Sequence, residues 1–228
     1  MRLSHRAAKA VVKPLFKVLI RLEVKGEENM PPKGPLIVLA NHLHWVDPVL
    51  LLVSFPWWIN FMAKEELFYS RPLSLFFSWA QASPVRRKWM ASGKIEALQW
   101  AKAALKEGLV LGMFPEGKRS REARLLLGRR GPALIALKTG APLLPIGICG
   151  TEKLKGIGWL RRPRITINIG QSFTPPSVNT EPTKPQLRWL ADFAMEQIAA
   201  LLPAEYRGRY KVVVGPSVGI GIYGEDRN

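Results

Sequence analysis

The residues of this sequence best suited to chemistry are a histidine and an aspartate five positions apart, His42 and Asp47, just beyond the apolar run Leu36 to Ala40. A carboxylate that takes one ring N–H of an imidazole fixes its tautomer and raises its basicity, leaving the other nitrogen to accept a proton. On one continuous helix the two side chains would lie about 140° apart and would not meet. A turn brings them together. The apolar run is short and unbroken, which reads as a buried strand. Asp47-Pro48 reads as a helix start, with Asp47 as N-cap and Pro48 at the first helical position. On this reading the strand delivers His42 into a loop and Asp47 turns back toward it. Taken alone, the pair reads equally well as a loop histidine beside a capping aspartate with no chemistry.

A second candidate is the loop Phe114-Pro115-Glu116-Gly117-Lys118-Arg119-Ser120. Gly117 permits close backbone approach, Arg119 offers bidentate bonds to a phosphate, and Ser120 adds a hydroxyl. Glu116 either orients an arginine or a substrate hydroxyl, or is half of a surface ion pair. The alternative for the whole loop is a solvated basic surface. Gly219-Ile220-Gly221-Ile222-Tyr223-Gly224 satisfies G-x-G-x-x-G, but only four residues follow it, too few for the helix that would hold a pyrophosphate. His44 beside His42 and Asp47 invites a metal, which is set aside because no further histidine lies within the core sequence. Neither a G-x-S-x-G elbow nor a P-loop occurs, so a covalent serine mechanism has little support.

The elements that must position these residues follow from the patterning. Trp57 to Ala63, Leu109 to Phe114 and Pro142 to Cys149 read as strands, and Ile165, Ile167 and Ile169 alternate as in a half-buried one. Helices are expected from Pro48, over Pro72 to Ala80, from Ser92 to Gly108, over Gly131 to Lys138, and through Leu187, Leu190, Ala194, Ile198 and Leu201. Alternating strands and helices predict a single α/β domain with a largely parallel mixed sheet flanked by helices. In such sheets ligands gather at the carboxyl ends of the strands, where His42 and the 115–120 loop both fall.

The 228 residues carry a formal charge of +17, from 34 Lys and Arg against 17 Asp and Glu, so the protein should seek polyanions: nucleic acid, anionic lipid, a phosphorylated substrate or an acidic protein. A single cysteine, Cys149 in an apolar run, excludes an internal disulfide and reads as a buried structural thiol. No run reaches the ~18 to 20 apolar residues of a membrane span, and no signal-peptide core opens the chain. Arg2, Arg6, Lys9, Lys13, Lys17 and Arg21 step by three or four along one stripe, with apolar residues over much of the rest. This reads as an amphipathic basic N-terminal helix lying on anionic lipid, or as a helix packed on the domain, and Pro14 should kink or split it. The expected organisation is an interfacial helix region over 1–24, one domain over 25–203, and a glycine-rich tail over 204–228.

Four blocks now carry a resemblance: Asn41-His42-x-x-x-x-Asp47, Pro84-Val85-Arg86-Arg87, Phe114-Pro115-Glu116-Gly117-x-Arg119-Ser120, and Ala141-Pro142-Leu143-Leu144-Pro145-Ile146. In that order and at those intervals, over about half the chain, the sequence resembles the glycerolipid acyltransferases typified by 1-acyl-glycerol-3-phosphate acyltransferase. Ala63-Lys64-Glu65-Glu66-Leu67-Phe68 adds a fifth similarity. The resemblance implies that His42 is a general base oriented by Asp47 and that Arg87, Glu116, Gly117 and Arg119 face the glycerol phosphate, with Lys64 a further anion contact and Ser120 in the same block. It implies acyl-CoA or acyl-carrier protein as co-substrate, a lysophospholipid acceptor, no metal or other cofactor, no nucleic acid, and a cytoplasmic place on the inner face of the cell membrane. Lys118 stands where the family often has Thr, and His44 where Ser is frequent. Many relatives also carry a membrane-spanning segment that is missing here, which bears on attachment and not on the chemistry. The rival from another class is a non-enzymatic basic protein binding membrane or nucleic acid, which leaves a histidine–aspartate pair at a strand end unexplained.

Overall fold

A computed structural model of the chain describes residues 3–64, 83–85, 91–178 and 180–210. Its elements in order are α1 (Leu3–Leu19), β1 (Arg21–Lys25), β2 (Leu36–Ala40), α2 (Asp47–Ser54), β3 (Ile59–Lys64), β4 (Ser83–Val85), α3 (Ala91–Lys106), β5 (Val110–Met113), α4 (Arg130–Thr139), β6 (Leu143–Cys149), β7 (Arg164–Ile169) and α5 (Lys184–Ala200). Seven strands form one sheet in the order β1-β7-β6-β2-β5-β3-β4. Every neighbouring pair is parallel except β6 and β7. The fold is the expected α/β domain with a largely parallel sheet.

β2 lies between β6 and β5 and is buried on both faces, which is why it reads as an unbroken apolar run without alternation. Leu36, Val38 and Ala40 face the core shared with α1, α2 and β7, whereas Ile37 and Leu39 face the core shared with α3, α4 and α5. Each such side chain contributes about 1.5–3 kcal/mol by leaving water, so the strand that carries His42 is among the firmest parts of the molecule. Because β2, β3, β4, β5 and β6 run the same way, His42, Lys64, Val85, Phe114 and Gly150 all come out along one edge of the sheet.

Three expectations are corrected. The N-terminal helix ends at Leu19, and Arg21–Lys25 is an edge strand paired in parallel with β7, so 1–24 is not all helix. The basic stripe runs on into Arg21, but Leu22 and Val24 pack on the core from a strand. α1 continues through Pro14 as one helix, so of the kink or split expected there the split does not occur. It docks Val12, Phe16 and Leu19 on the core, and Lys9 turns inward to donate to the carbonyls of Phe55 and Trp57 at 2.6 and 3.3 Å. Leu15 and Val18 are left exposed. The helix is therefore packed on the domain, and its basic stripe is not wholly available to an outside surface. Lastly, the domain does not stop at 203: Tyr206 and Tyr210 are buried, and the Tyr210 hydroxyl accepts from the Gly128 N–H at 3.0 Å. Residues 211–228 lie outside the described residues, as does the helix expected over Pro72 to Ala80.

Candidate active site

His42 stands two residues past the end of β2. Asn41, between them, is buried, and its amide pairs with Ile148 of β6 through both backbone groups, donating to the carbonyl at 2.8 Å and accepting from the N–H at 2.7 Å. A side chain thus takes over from the strand ladder where β2 turns away. His42 Nδ1 then meets Asp47 Oδ2 at 2.8 Å, and the same oxygen accepts the N–H groups of Leu43 and His44 at 2.7 and 2.8 Å. Asp47 is fully buried. It is the first residue of α2 and not its cap, the position before it being Val46 in helical conformation. The carboxylate that would have capped the helix faces backward and organises the loop instead. With Asp47 accepting at Nδ1, the proton sits there and Nε2 carries the free lone pair. No partner for Nε2 occurs among the described residues, and the side chain is 17% exposed.

The ring is also held from its face. Phe114 stacks on His42 with centroids 4.1 Å apart and planes 19° apart, and Phe61 stacks on Phe114 at 5.6 Å. Phe61 has room because Gly112 is its register partner: a Cβ there would stand 2.4 Å from the Phe61 ring. A glycine in β5 is thereby linked to the attitude of the imidazole.

The loop after β5 holds the backbone of the same histidine. Glu116 is buried; Oε1 accepts from the His42 N–H and Oε2 from the Leu126 N–H, each at 2.9 Å, while the Ser120 N–H donates to the His42 carbonyl at 2.7 Å. Burial raises the Glu116 carboxyl to about 7, against the pull of its two amide donors. The two candidates of the sequence are therefore joined through the backbone of His42. Each oxygen of Glu116 is bonded to a backbone amide of the protein. Ser120 is buried as well, its hydroxyl accepting from the Arg124 N–H at 3.1 Å, so it supports the loop. Gly117 has φ +69° and closes a turn in which its N–H donates to the Phe114 carbonyl at 3.0 Å. Arg119 is exposed beside the site. Its charge joins burial in lowering the pKa of His44, burial being the larger cause, with Asp47 opposing. Lys64 ends β3 in register with Val85, so its backbone lies on the same edge; its side chain and Arg87 fall outside what is described.

Two contributors escaped the sequence reading. Arg129 lies over Gly117, donating from Nε to the Glu116 carbonyl at 3.2 Å, while its N–H donates to the Pro115 carbonyl at 2.8 Å. In the sequence it is marked only as one of several basic residues between Lys118 and Lys138. Phe114, read as the last strand residue, is the stacking partner of the catalytic candidate. Cys149 is partly buried, and burial pushes its thiol up to about 12, which suits an inert residue.

The arrangement offers an oriented imidazole, a buried carboxylate behind it, and the exposed Arg119 in the adjoining loop, at the carboxyl edge of a largely parallel sheet. The acyltransferase family model matches residues 21–149, which take in all of these residues. The chain is 29% identical over 191 residues to a 1-acyl-sn-glycerol-3-phosphate acyltransferase of Bacillus subtilis, covering 82% of this chain and 92% of that one. It is 29% identical over 152 residues to the protein of that name from Borreliella burgdorferi, covering 66% of this chain and 60% of that one. Among solved structures it resembles the 1-acyl-sn-glycerophosphate acyltransferase of Thermotoga maritima, with a TM-score of 0.65 and 28% identity over 83% of this chain and 75% of that one.

Proposed function

The chain belongs to the acyltransferase family, and we propose that it moves an acyl group from a thioester, acyl-CoA or acyl-carrier protein, to the free hydroxyl of 1-acyl-glycerol-3-phosphate or a similar lysophospholipid. The observation that carries the reading is the 2.8 Å contact between His42 Nδ1 and Asp47 Oδ2, which leaves Nε2 as the basic nitrogen of a clamped ring.

His42 Nε2 takes the proton of the acceptor hydroxyl as its oxygen attacks the thioester carbonyl. Asp47 holds Nδ1–H and stabilises the imidazolium that forms. The tetrahedral intermediate collapses with loss of the thiolate, which takes the proton back from Nε2, so no acyl-enzyme is needed and the base is regenerated. A positioned base contributes about 10²–10⁴-fold, and the remainder comes from holding acceptor and donor in register. Arg119, with Lys64 and Arg87 assigned by family resemblance, binds the acceptor phosphate. Gly117 keeps the turn that carries Arg119 tight.

No helix among the described residues is long and apolar enough to cross a membrane. The acceptor is nonetheless borne by a bilayer, and the enzyme works peripherally on its anionic inner face. His42→Ala should abolish thiol release across a panel of lysophosphatidic acids and thioesters while the melting curve is kept. Turnover that survives this change would sink the mechanism.

A further inference from the structure

Between β6 and β7 the chain makes two short 3-10 turns, Thr151–Leu154 and Gly156–Arg161, on the edge of the sheet that carries His42. The second turn is anchored from behind. Trp159 lies 6.5 Å from Phe16 of α1 and 6.3 Å from both His44 and Trp45, and Arg162 donates to the Lys17 carbonyl at 2.7 Å. Gly158 packs so closely on the preceding turn that a Cβ would stand 1.8 Å from the Lys153 carbonyl oxygen. The turn is thus a fixed platform, yet Ile157 and Leu160 on it are 72% and 84% exposed. Two aliphatic side chains held out in water on a braced turn have no role in the core. A cavity of about 430 Å³ brings Lys153, Lys155 and Arg161, all exposed, to the same surface as Ile157. Trp45, 53% exposed, continues the apolar surface toward the His42 loop.

We propose that the Gly156–Arg161 turn is a membrane-docking wedge, with Ile157 and Leu160 entering the acyl boundary of an anionic bilayer while Lys153, Lys155 and Arg161 hold its headgroups. Aliphatic tips within a cationic collar are the composition that interfacial insertion requires, burial supplying one part of the attraction and anionic lipid the other. A protein partner would call for a broader contiguous apolar face than two tips. Through Trp159 and Trp45 the wedge meets the loop of His42, so docking here presents the base to the membrane. The proposal rests on the reading that the acceptor is a lipid, and it adds an attachment element separate from α1.

The test is the full chain carrying Ile157→Asp and Leu160→Asp, two exposed positions whose change leaves the core alone. Co-sedimentation with phosphatidylglycerol-containing vesicles should weaken by at least about tenfold, given the apolar area withdrawn from the acyl boundary. Turnover of a vesicle-embedded acceptor should fall with it, while turnover of a short-chain, water-soluble acceptor stays at the wild-type value. As a second readout, an environment-sensitive dye on Leu160→Cys should shift to the blue when those vesicles are added; the Cys149 thiol, with its raised pKa, competes poorly for the label. Unchanged vesicle binding, an unshifted dye, or equal loss on both acceptors would overturn the wedge. Vesicle binding that depends on the wedge in a protein inactive on every acceptor would keep it and overturn the proposed function.

Discussion

The carboxylate of Glu116 holds the main chain of His42: one of its oxygens accepts the His42 N–H at 2.9 Å, and the other accepts the Leu126 N–H at the same distance. An acid in the midst of a basic loop is thus a clamp that sets where the base stands. A glutamine at this position cannot satisfy both amides, because one of them must face an NH₂ group. Glu116→Gln should cost about 1–3 kcal/mol of stability and lower kcat more than it raises either KM. A variant with wild-type kcat would show that the clamp is not needed.

The same residue sets a pH dependence of stability. Its folded pKa, about 7, lies above the ordinary 4.5, so between these values the folded state binds more protons than the unfolded one. Stability is then full below about pH 4.5 and falls as pH rises through 7, by on the order of 3 kcal/mol for this group. Urea midpoints of the wild type should show this decline relative to Glu116→Gln, in which the group is absent. Parallel curves for the two proteins would remove Glu116 as its source.

Asp47 uses one oxygen for three donors, and its Oδ1 is buried without a partner among the described residues. An asparagine can keep its carbonyl oxygen on those donors and place its NH₂ at the Oδ1 position. Asp47→Asn therefore removes the charge while retaining the loop, at about 1–3 kcal/mol for the unpaired amide. Turnover should fall by about 10²–10⁴-fold, as expected when a positioned base loses its support. A loss smaller than tenfold, in a protein whose melt is cooperative, would mean that the carboxylate only shapes the loop.

What the sequence made legible was the framework. β2, as a run buried on both faces, and Asp47-Pro48, as a helix start, predicted a strand end, a loop and a returning carboxylate. The roles within the basic loop were not legible, because Glu116 bonds to amides at positions 42 and 126, and no local pattern reveals a long-range backbone contact. The Ser120 hydroxyl accepts the Arg124 N–H four residues on, a turn contact that the residue type alone does not disclose. β1 was hidden because charges alternating with Leu22 and Val24 also continue a helical stripe; only pairing with β7 decides between the two.

Arg119 is an exposed cation three residues beyond this clamp, and it has no ion-pair partner among the described residues. If it binds the acceptor phosphate, Arg119→Ala should raise KM for a phosphorylated acceptor by about 10–100-fold, the worth of charge-assisted hydrogen bonds. KM for the thioester should move much less. Equal effects on both substrates would take Arg119 out of the acceptor site.

Gly117 tests whether the turn must be as tight as it is. At φ +69° a side chain is strained, and a Cβ would stand 2.5 Å from Arg129 Nε and 2.7 Å from its Cδ. Gly117→Ala should therefore cost about 1–2 kcal/mol in backbone strain and also push Arg129 off the Glu116 carbonyl. The two costs separate in a double-mutant cycle. Arg129→Ala frees the space, so adding Gly117→Ala to it should cost only the backbone part, and the coupling between the sites should be about 0.5–3 kcal/mol. Additive losses in chemical melts would mean that Arg129 moves aside freely and does not brace the turn. Because that turn carries Glu116 and Arg119 together, the same cycle read in kcat and acceptor KM tells which of them the displacement reaches: a fall in kcat reports the clamp on His42, and a rise in KM reports the phosphate contact.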